Sequence, residues 1–382
     1  MGFHEFSSPY DWSRIAAYKR TAKAAFGGMI DLSVGSPVDP VPDSVRKALA
    51  VAANDPNAYG YPATAGTADL RAAIAEWFSA ARNVDLQAIH ADVVPTVGSK
   101  EGVALMASLL HFGEDDVVVQ PKVSYPTYEI GTQLAGAQVL KVDDVADVAS
   151  WRNVPGVKAV WVNSPCNPTG EVYSAERMAG IVAAAREIGA VVLSDECYAL
   201  MQWRGATNSA DDDPLQSTPC ALRSDVCAGS AEGVLVLYSL SKQSNMAGYR
   251  TAFIAGDESL IASMSAYRKQ IGQIIPGPVQ AAMAAGLRDL ESVKAQHARY
   301  RERLGVLVSA LRAYGYCTDM PDGALYVWVR AKSGDCWTDM EQLAKIGIIA
   351  SPGEFYGAPE CLRFSATASD EAIASAAERL AR

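Results

Sequence analysis

Histidine is scarce. The 382 residues hold four (His4, His90, His111, His297), far apart and without His-x-x-x-His spacing, so no zinc-type ligand set is expected and no metal is assigned. The seven cysteines (Cys166, Cys197, Cys220, Cys227, Cys317, Cys336, Cys361) are odd in number and scattered, and none is spaced as Cys-x-x-Cys. That pattern excludes a disulfide framework and points to free thiols in a reducing compartment. Basic residues are in deficit, 33 Lys and Arg against 43 Asp and Glu, for a net charge of -10 and a pI near 5.0. Nucleic acid and anionic membranes, which demand clustered cations, are therefore not expected partners. No stretch approaches about 18 uninterrupted apolar residues, and Met1–Tyr10 lacks a basic segment followed by an apolar one. A cytoplasmic location is expected. No internal repeat or low-complexity tract occurs, and the chemistry must come from elsewhere.

Hydrophobic residues make up 49% of the chain, enough for a large core and more than one domain usually holds. Near-continuous Val, Leu and Ile runs mark seven strands: 92–97, 116–120, 138–142, 158–163, 190–195, 234–239 and 251–255. Helical segments fill the gaps. Ser174 is placed to cap one, with Glu176 in its first turn and Gly189 ending it. The expectation is an α/β fold, a large domain with a seven-stranded, mostly parallel sheet flanked by helices. Beyond Pro278 the pattern changes to long helical periodicity through Tyr314, a strand at 324–329, a helix near 338–345, a strand at 361–365 and a terminal helix. This α+β tail reads as a smaller domain, so the expected division is 44–285 for the large domain, and 1–43 with 286–382 for the small one. The polar stretch 205–233, with Asp211, Asp212 and Asp213, reads as a solvated excursion, because adjacent carboxylates repel.

The richest segment is Tyr238-Ser239-Leu240-Ser241-Lys242-Gln243-Ser244-Asn245-Met246-Ala247-Gly248-Tyr249-Arg250, where a buried strand runs out into hydroxyls and a lysine. From Ser-x-Ser-Lys alone, an ordinary polar loop competes evenly with a reactive site. A lysine desolvated at a strand end has a lowered pKa and can form a Schiff base with an aldehyde. Ser239 and Arg250 flank it and suit a dianionic phosphate. Aldehyde and phosphate together suggest pyridoxal phosphate.

The chain resembles, over nearly its whole length, the fold-type I, class I/II pyridoxal-phosphate aminotransferases. The resemblance implies that Lys242 carries the cofactor, pyridoxal 5'-phosphate, as a Schiff base, with Ser239, Ser241 and Arg250 around the phosphate. Asn163-Ser164-Pro165-Cys166-Asn167-Pro168-Thr169-Gly170 is similar to the family's N-P-x-N-P-T-G loop, implying that Asn167 meets the cofactor's phenolate oxygen and lines the substrate site. Cys166 has no histidine nearby in sequence to activate it and reads as a bystander. In Ser194-Asp195-Glu196-Cys197-Tyr198, Asp195 matches the aspartate that pairs with the pyridine nitrogen and Tyr198 the phenol that shares the phenolate, while Glu196 reads as a surface carboxylate. Gly98-Ser99-Lys100 opens a helix whose backbone N–H groups suit a phosphate. Tyr125 resembles the aromatic stacked on the ring, and Tyr128 reads as core packing. Tyr61 resembles the tyrosine that reaches the neighbouring subunit's phosphate, which implies a homodimer.

On the substrate side, Gly35 resembles the segment lying over the site, where glycine permits close backbone approach, and Arg363 the arginine that clamps the substrate α-carboxylate. The implied reaction is ping-pong amino transfer between an amino acid and a 2-oxo acid. Three further stretches, 31–40, 98–101 and 124–129, and the 239–250 segment resemble the succinyl-diaminopimelate aminotransferases of lysine biosynthesis, with 2-oxoglutarate as acceptor. Lys100 is a candidate for a distal carboxylate, with a solvated side chain as the equal alternative. Aspartate, alanine or aromatic specificity, or a C–S β-lyase, would use the same lysine and arginine. A cofactor-sensing domain fused to a helix-turn-helix is disfavoured by the short segment before Gly35 and the acidic charge, and an inactive scaffold by the joint presence of Lys242, Asp195, Asn167 and Arg250.

Overall fold

A computed structural model describes residues 11–203 and 218–382 of the chain. Seven strands form one sheet: β1 (Ala91–Val97), β2 (Val117–Pro121), β3 (Gln138–Val142), β4 (Val157–Asn163), β5 (Val191–Asp195), β6 (Val234–Ser239) and β7 (Thr251–Asp257). Their order is β1-β7-β6-β5-β4-β2-β3, with β7 antiparallel to both neighbours and the other six strands parallel to one another. The apolar runs are continuous because both faces are covered. Alternate residues serve opposite sides: Val160, Val162, Val234 and Val236 join one core with the helices Ala68–Arg82, Ala175–Glu187 and Gly277–Arg288. Ala159, Trp161, Leu235 and Leu237 join the other with Ser99–Leu109, Thr127–Leu134 and Glu258–Gln270.

Strand direction decides where the loops go. The carboxyl ends of the six parallel strands lie along one edge of the sheet, the usual place for ligands in open α/β sheets. The antiparallel β7 starts at that same edge, with Thr251 opposite Val97 and Ala252 opposite Ser239. Arg250, one residue earlier, is thereby delivered next to Gly98.

The chain forms two compact units, one of residues 37–301 with 321–324, the other of residues through Ser36, 302–320 and 325–382. The division thus falls at Ser36/Pro37 and, inside the helix Leu290–Ala313, at Arg301/Glu302. In the smaller unit, β8 (Tyr326–Arg330), β9 (Ser351–Pro352) and β10 (Cys361–Ser365) form an antiparallel sheet in the order β9-β10-β8, with helices Cys336–Lys345 and Asp370–Leu380, and Ile30–Asp31 pairs with Ile348–Ile349.

Two expectations change. The strand anticipated at 324–329 begins at Tyr326, because Ala324 has a positive φ of 62° and its N–H is held by the Met201 carbonyl of the larger unit. The polar stretch 205–233 is no simple solvated loop in its second half: Cys220, Ala221, Leu222, Val226 and Cys227 are buried around a short helix, Ser224–Cys227. Arg186 clamps this helix through the carbonyls of Cys227 and Ser230, at 2.8 and 2.6 Å. Asp211, Asp212 and Asp213 lie outside the described residues. The Ser174 cap forms as anticipated, its Oγ accepting from Arg177 N–H at 3.1 Å, and all seven cysteines are free. Among the described residues no helix is long and apolar enough to cross a membrane.

Candidate active site

At the end of β6, Ser239 caps the four-residue helix Leu240–Gln243: its Oγ accepts from Ser241 N–H at 3.1 Å and lies 2.8 Å from Ser241 Oγ. Lys242, partly buried, follows on this cap. Both sides of it are pinned. Gln243 accepts from Tyr238 Oη at 2.8 Å and donates to the Gly286 carbonyl at 3.2 Å, and Asn245 donates to the Pro40 carbonyl at 3.2 Å.

Asp195, at the end of β5, is buried beside this lysine's segment. Its Oδ2 accepts from Tyr128 Oη at 2.7 Å and its Oδ1 from Cys197 N–H at 3.1 Å. Burial pushes the Asp195 carboxyl above its usual range, opposed by the hydrogen bonds from Tyr128 and Cys197. Burial and the Asp195 charge likewise hold the Cys197 thiol far above its ordinary pKa, while a hydrogen bond with Ser99 and the charge of Lys242 pull the other way. Cys197 thus reports that Ser99, Asp195 and Lys242 converge. Burial raises the Cys166 thiol to about 11, so it is no thiolate and stays a bystander.

The loop after β4 is fixed by Asn163, which donates to the Asp195 carbonyl at 2.9 Å and accepts from Asn167 N–H at 2.8 Å. Asn167 and Tyr198 are both buried on this edge. The Ser164–Pro165 and Asn167–Pro168 bonds are cis. Gly170 closes the loop at a φ of 78°, and a Cβ there would stand 2.7 Å from Pro321 Cβ and 2.9 Å from the Gly323 carbonyl.

Gly98, with φ 75°, precedes the helix Ser99–Leu109, and a Cβ on it would collide with the Arg250 guanidinium. Glycine is what lets that cation lie against the open N–H groups of the helix start. The arginine is anchored by Nη1 donating to the Ala247 carbonyl at 2.7 Å. Behind the same turn, Arg268 holds Glu101 with two bonds of 2.8 and 3.3 Å, offsetting the acidic side chain in the helix's first turn. The Lys100 side chain is exposed, and its backbone lies in the first turn of this helix.

These residues fit pyridoxal phosphate. A helix N-terminus with Arg250 suits a dianionic phosphate, and a buried carboxylate whose donors in Tyr128 and Cys197 are neutral suits a cationic ring nitrogen. Tyr125 packs edge-on against Tyr128, ring centroids 5.7 Å apart, which brings it to the Asp195 end. Tyr61 is fully exposed.

In the smaller unit Arg363 is buried on β10. Its guanidinium carbon lies 4.0 Å from the centroid of the Tyr326 ring and 4.8 Å from that of Tyr356, and its Nη2 donates to the Ser33 carbonyl at 2.8 Å. It is not a solvated strand residue. Gly35 packs against Tyr326.

One reading is corrected and another extended. Glu196 is buried, not a surface carboxylate: it pairs with Arg82 at 2.7 Å and accepts from Ala221 N–H at 2.8 Å, because a charge placed in the core must be matched. Tyr128 does pack in the core, stacked on Trp161 at 4.5 Å and 16°, but it is also the donor to Asp195. Burial first, then Asp195, pushes its phenol far above the usual range, so it remains protonated and donating. Its sequence signal is faint, an aromatic on the inward face of Thr127–Leu134. Asn163 carried a clearer one, a polar residue ending an apolar strand.

A fold and a site of this kind define a pyridoxal-phosphate-dependent transferase of amino groups. The chain belongs to the aminotransferase class I and II family, whose model matches residues 27–380. It is 40% identical to a 4-dedimethylamino-4-oxo-anhydrotetracycline transaminase of Streptomyces rimosus, over 97% of this chain and 98% of that one. A probable aminotransferase of Mycobacterium tuberculosis is 39% identical, over 97% of this chain and 84% of the relative. Among solved structures, a probable N-succinyldiaminopimelate aminotransferase of Thermus thermophilus superposes with a TM-score of 0.83 at 27% identity, covering 97% of this chain and 99% of that one.

Proposed function

We propose that the chain transfers the amino group of N-succinyl-LL-2,6-diaminopimelate to 2-oxoglutarate, giving glutamate and N-succinyl-2-amino-6-oxopimelate. The observation carrying this reading is the buried Arg363, a planar fork suited to the α-carboxylate that donor and acceptor share. The Thermus neighbour supports the substrate class. Pyridoxal phosphate supplies an aldehyde for primary amines and a cationic ring that draws electrons from the substrate's Cα. Lys242 Nζ would be its covalent attachment point and, when free, the base for the Cα proton. Asp195 would pair with the ring nitrogen and keep it protonated. Asn167 and Tyr198 would hold the phenolate oxygen, Tyr125 would cover the ring face, and Ser239, Ser241, Arg250 and the N–H groups of Ser99 and Lys100 would hold the phosphate. Arg363 and the Gly35 segment hold the substrate, and the two half-reactions run in ping-pong order.

The Streptomyces relative favours a second reading, a bulky ketone acceptor of the oxo-anhydrotetracycline type. One experiment separates them: amino donors are offered singly, the loss of the cofactor's visible band is timed, and acceptors are then tested for its return. The succinylated donor and glutamate are expected to react fastest, with 2-oxoglutarate restoring the band. Faster reaction with aspartate, alanine or aromatic donors, or restoration by the anhydrotetracycline ketone alone, rejects the diaminopimelate assignment. Release of pyruvate and ammonia would instead identify a C–S lyase.

The same reading makes the enzyme a homodimer in which Tyr61 reaches the partner's phosphate, and its complete exposure in one chain suits that role. Mixed dimers of Lys242→Ala and Tyr61→Phe chains should regain activity above either parent, because one site in each carries neither lesion. If mixing restores nothing, Tyr61 does not cross the interface.

A further inference from the structure

The segment before Gly35 is strapped to the strand that carries Arg363. Three successive carbonyls are used: Leu32 accepts from Ser365 N–H at 2.8 Å, Ser33 from Arg363 Nη2 at 2.8 Å, and Val34 from Thr367 Oγ1 at 3.1 Å. The strap ends at Gly35, whose φ lies outside the left-handed region, so its backbone would accept a side chain. Space forbids it. A Cβ there would collide with the Tyr326 hydroxyl and stand 3.0 Å from both Cε1 and Cζ of the ring. That ring is the one whose face carries the Arg363 guanidinium, 4.0 Å away, and Tyr326 and Arg363 are both buried. Tyr326 therefore touches the strap with its hydroxyl and the arginine with its ring, while the Ser33 carbonyl binds the arginine directly. On the opposite strand Ser351, in register with Arg363, lies 3.3 Å from the hydroxyl of Tyr356, the second ring against the guanidinium.

The geometry points to Tyr326 as a positioning residue that, seated against the bare backbone of Gly35, sets the plane in which Arg363 presents its guanidinium to a carboxylate. This rests on the reading of Arg363 as the carboxylate clamp. A guanidinium recognises a carboxylate through two parallel N–H bonds, so a tilt of its plane weakens binding without touching the residues around Lys242. Gly35→Ala pushes the Tyr326 hydroxyl away and tilts the ring beneath the arginine. Tyr326→Phe removes the colliding atom and leaves the ring face in place.

The test uses the cofactor-loaded enzyme and four variants: Gly35→Ala, Tyr326→Phe, the two combined, and Tyr326→Leu. Each is assayed for KM and kcat with glutamate, and for the Kd of succinate, a non-reacting dicarboxylate, read from the cofactor's visible band. Gly35→Ala should raise KM and the succinate Kd about tenfold with a much smaller change in kcat, and the double variant should recover most of that loss, as contacting residues couple. Tyr326→Leu keeps apolar volume but loses the ring face, and should raise both constants by about fivefold or more. The inference is overturned if the double variant is as impaired as the product of the singles, or if Tyr326→Leu leaves KM and Kd unchanged. Should Gly35→Ala fail to fold, the Tyr326→Leu arm decides alone. Arg363→Ala is the control: if it leaves KM and the succinate Kd unaltered, the clamp itself is misassigned, an outcome distinct from a failure of the coupling.

Discussion

Lys242→Ala is expected to abolish amino transfer and leave the fold standing. The side chain tops a helix of four residues whose register is set by its neighbours: Leu240 is buried in the core, Ser239 caps the turn, and Gln243 is bonded on both sides. None of these contacts uses the lysine ammonium, so each of them remains when it is removed. What disappears, on the proposed mechanism, is the amine that would hold the cofactor and the base that would take the proton from Cα. A positioned general base alone contributes about 10²–10⁴-fold, and the covalent attachment adds to that, so the residual rate should fall at least about a thousandfold. Steady-state rates with glutamate, alongside circular dichroism and the cofactor's absorption band, check both halves of the expectation. A variant that still transaminates within tenfold of the parent ends the proposed mechanism.

Asp195→Asn should cost about 10²–10³-fold in kcat, the range seen when one preorganised charge partner is lost from a reacting centre. The described surroundings give the reason. Burial lifts the Asp195 carboxyl above its usual range, and the hydrogen bonds from Tyr128 and Cys197 bring it only part of the way back. The sign follows. A carboxyl whose folded pKa is raised contributes stability below its unfolded pKa and loses it as pH rises through the folded value, so in the chain without cofactor ionising Asp195 costs stability. A cationic ring nitrogen would relieve that cost, and the carboxylate would in turn keep the nitrogen protonated. Tyr128→Phe removes one of the supporting donors. It should lower kcat by about tenfold, the value of a hydrogen bond to a charged group, and move the acid limb of the kcat profile to higher pH because Asp195 then protonates more readily. Stacking on Trp161 is retained by phenylalanine, which separates this effect from a packing loss. An acid limb that stays in place, or an Asp195→Asn variant within tenfold of the parent, would refute the pairing.

Much of the fold was legible because buried strands and capped helices are local events. Val, Leu and Ile runs marked all seven strands of the large sheet to within one or two residues, and Ser174 and Gly189 bracketed their helix because a cap needs only its own first turn. The loops bearing Gly98, Asn167, Asp195 and Lys242 were equally visible, since each follows a strand end directly. Tertiary structure decided the rest, for one reason: these features join residues far apart in the chain, and no periodicity encodes the partner. The reversal of β7 between β1 and β6 put Arg250 beside Gly98. Long-range packing turned Glu196 from an apparent surface carboxylate into the buried partner of Arg82, and gave Tyr128, a residue of evident core character, the carboxylate of Asp195 to hold. Gly35 read from the sequence as room for a close approach, but only the folded chain shows that Tyr326 fills that room, because a missing Cβ matters through the atom that would meet it.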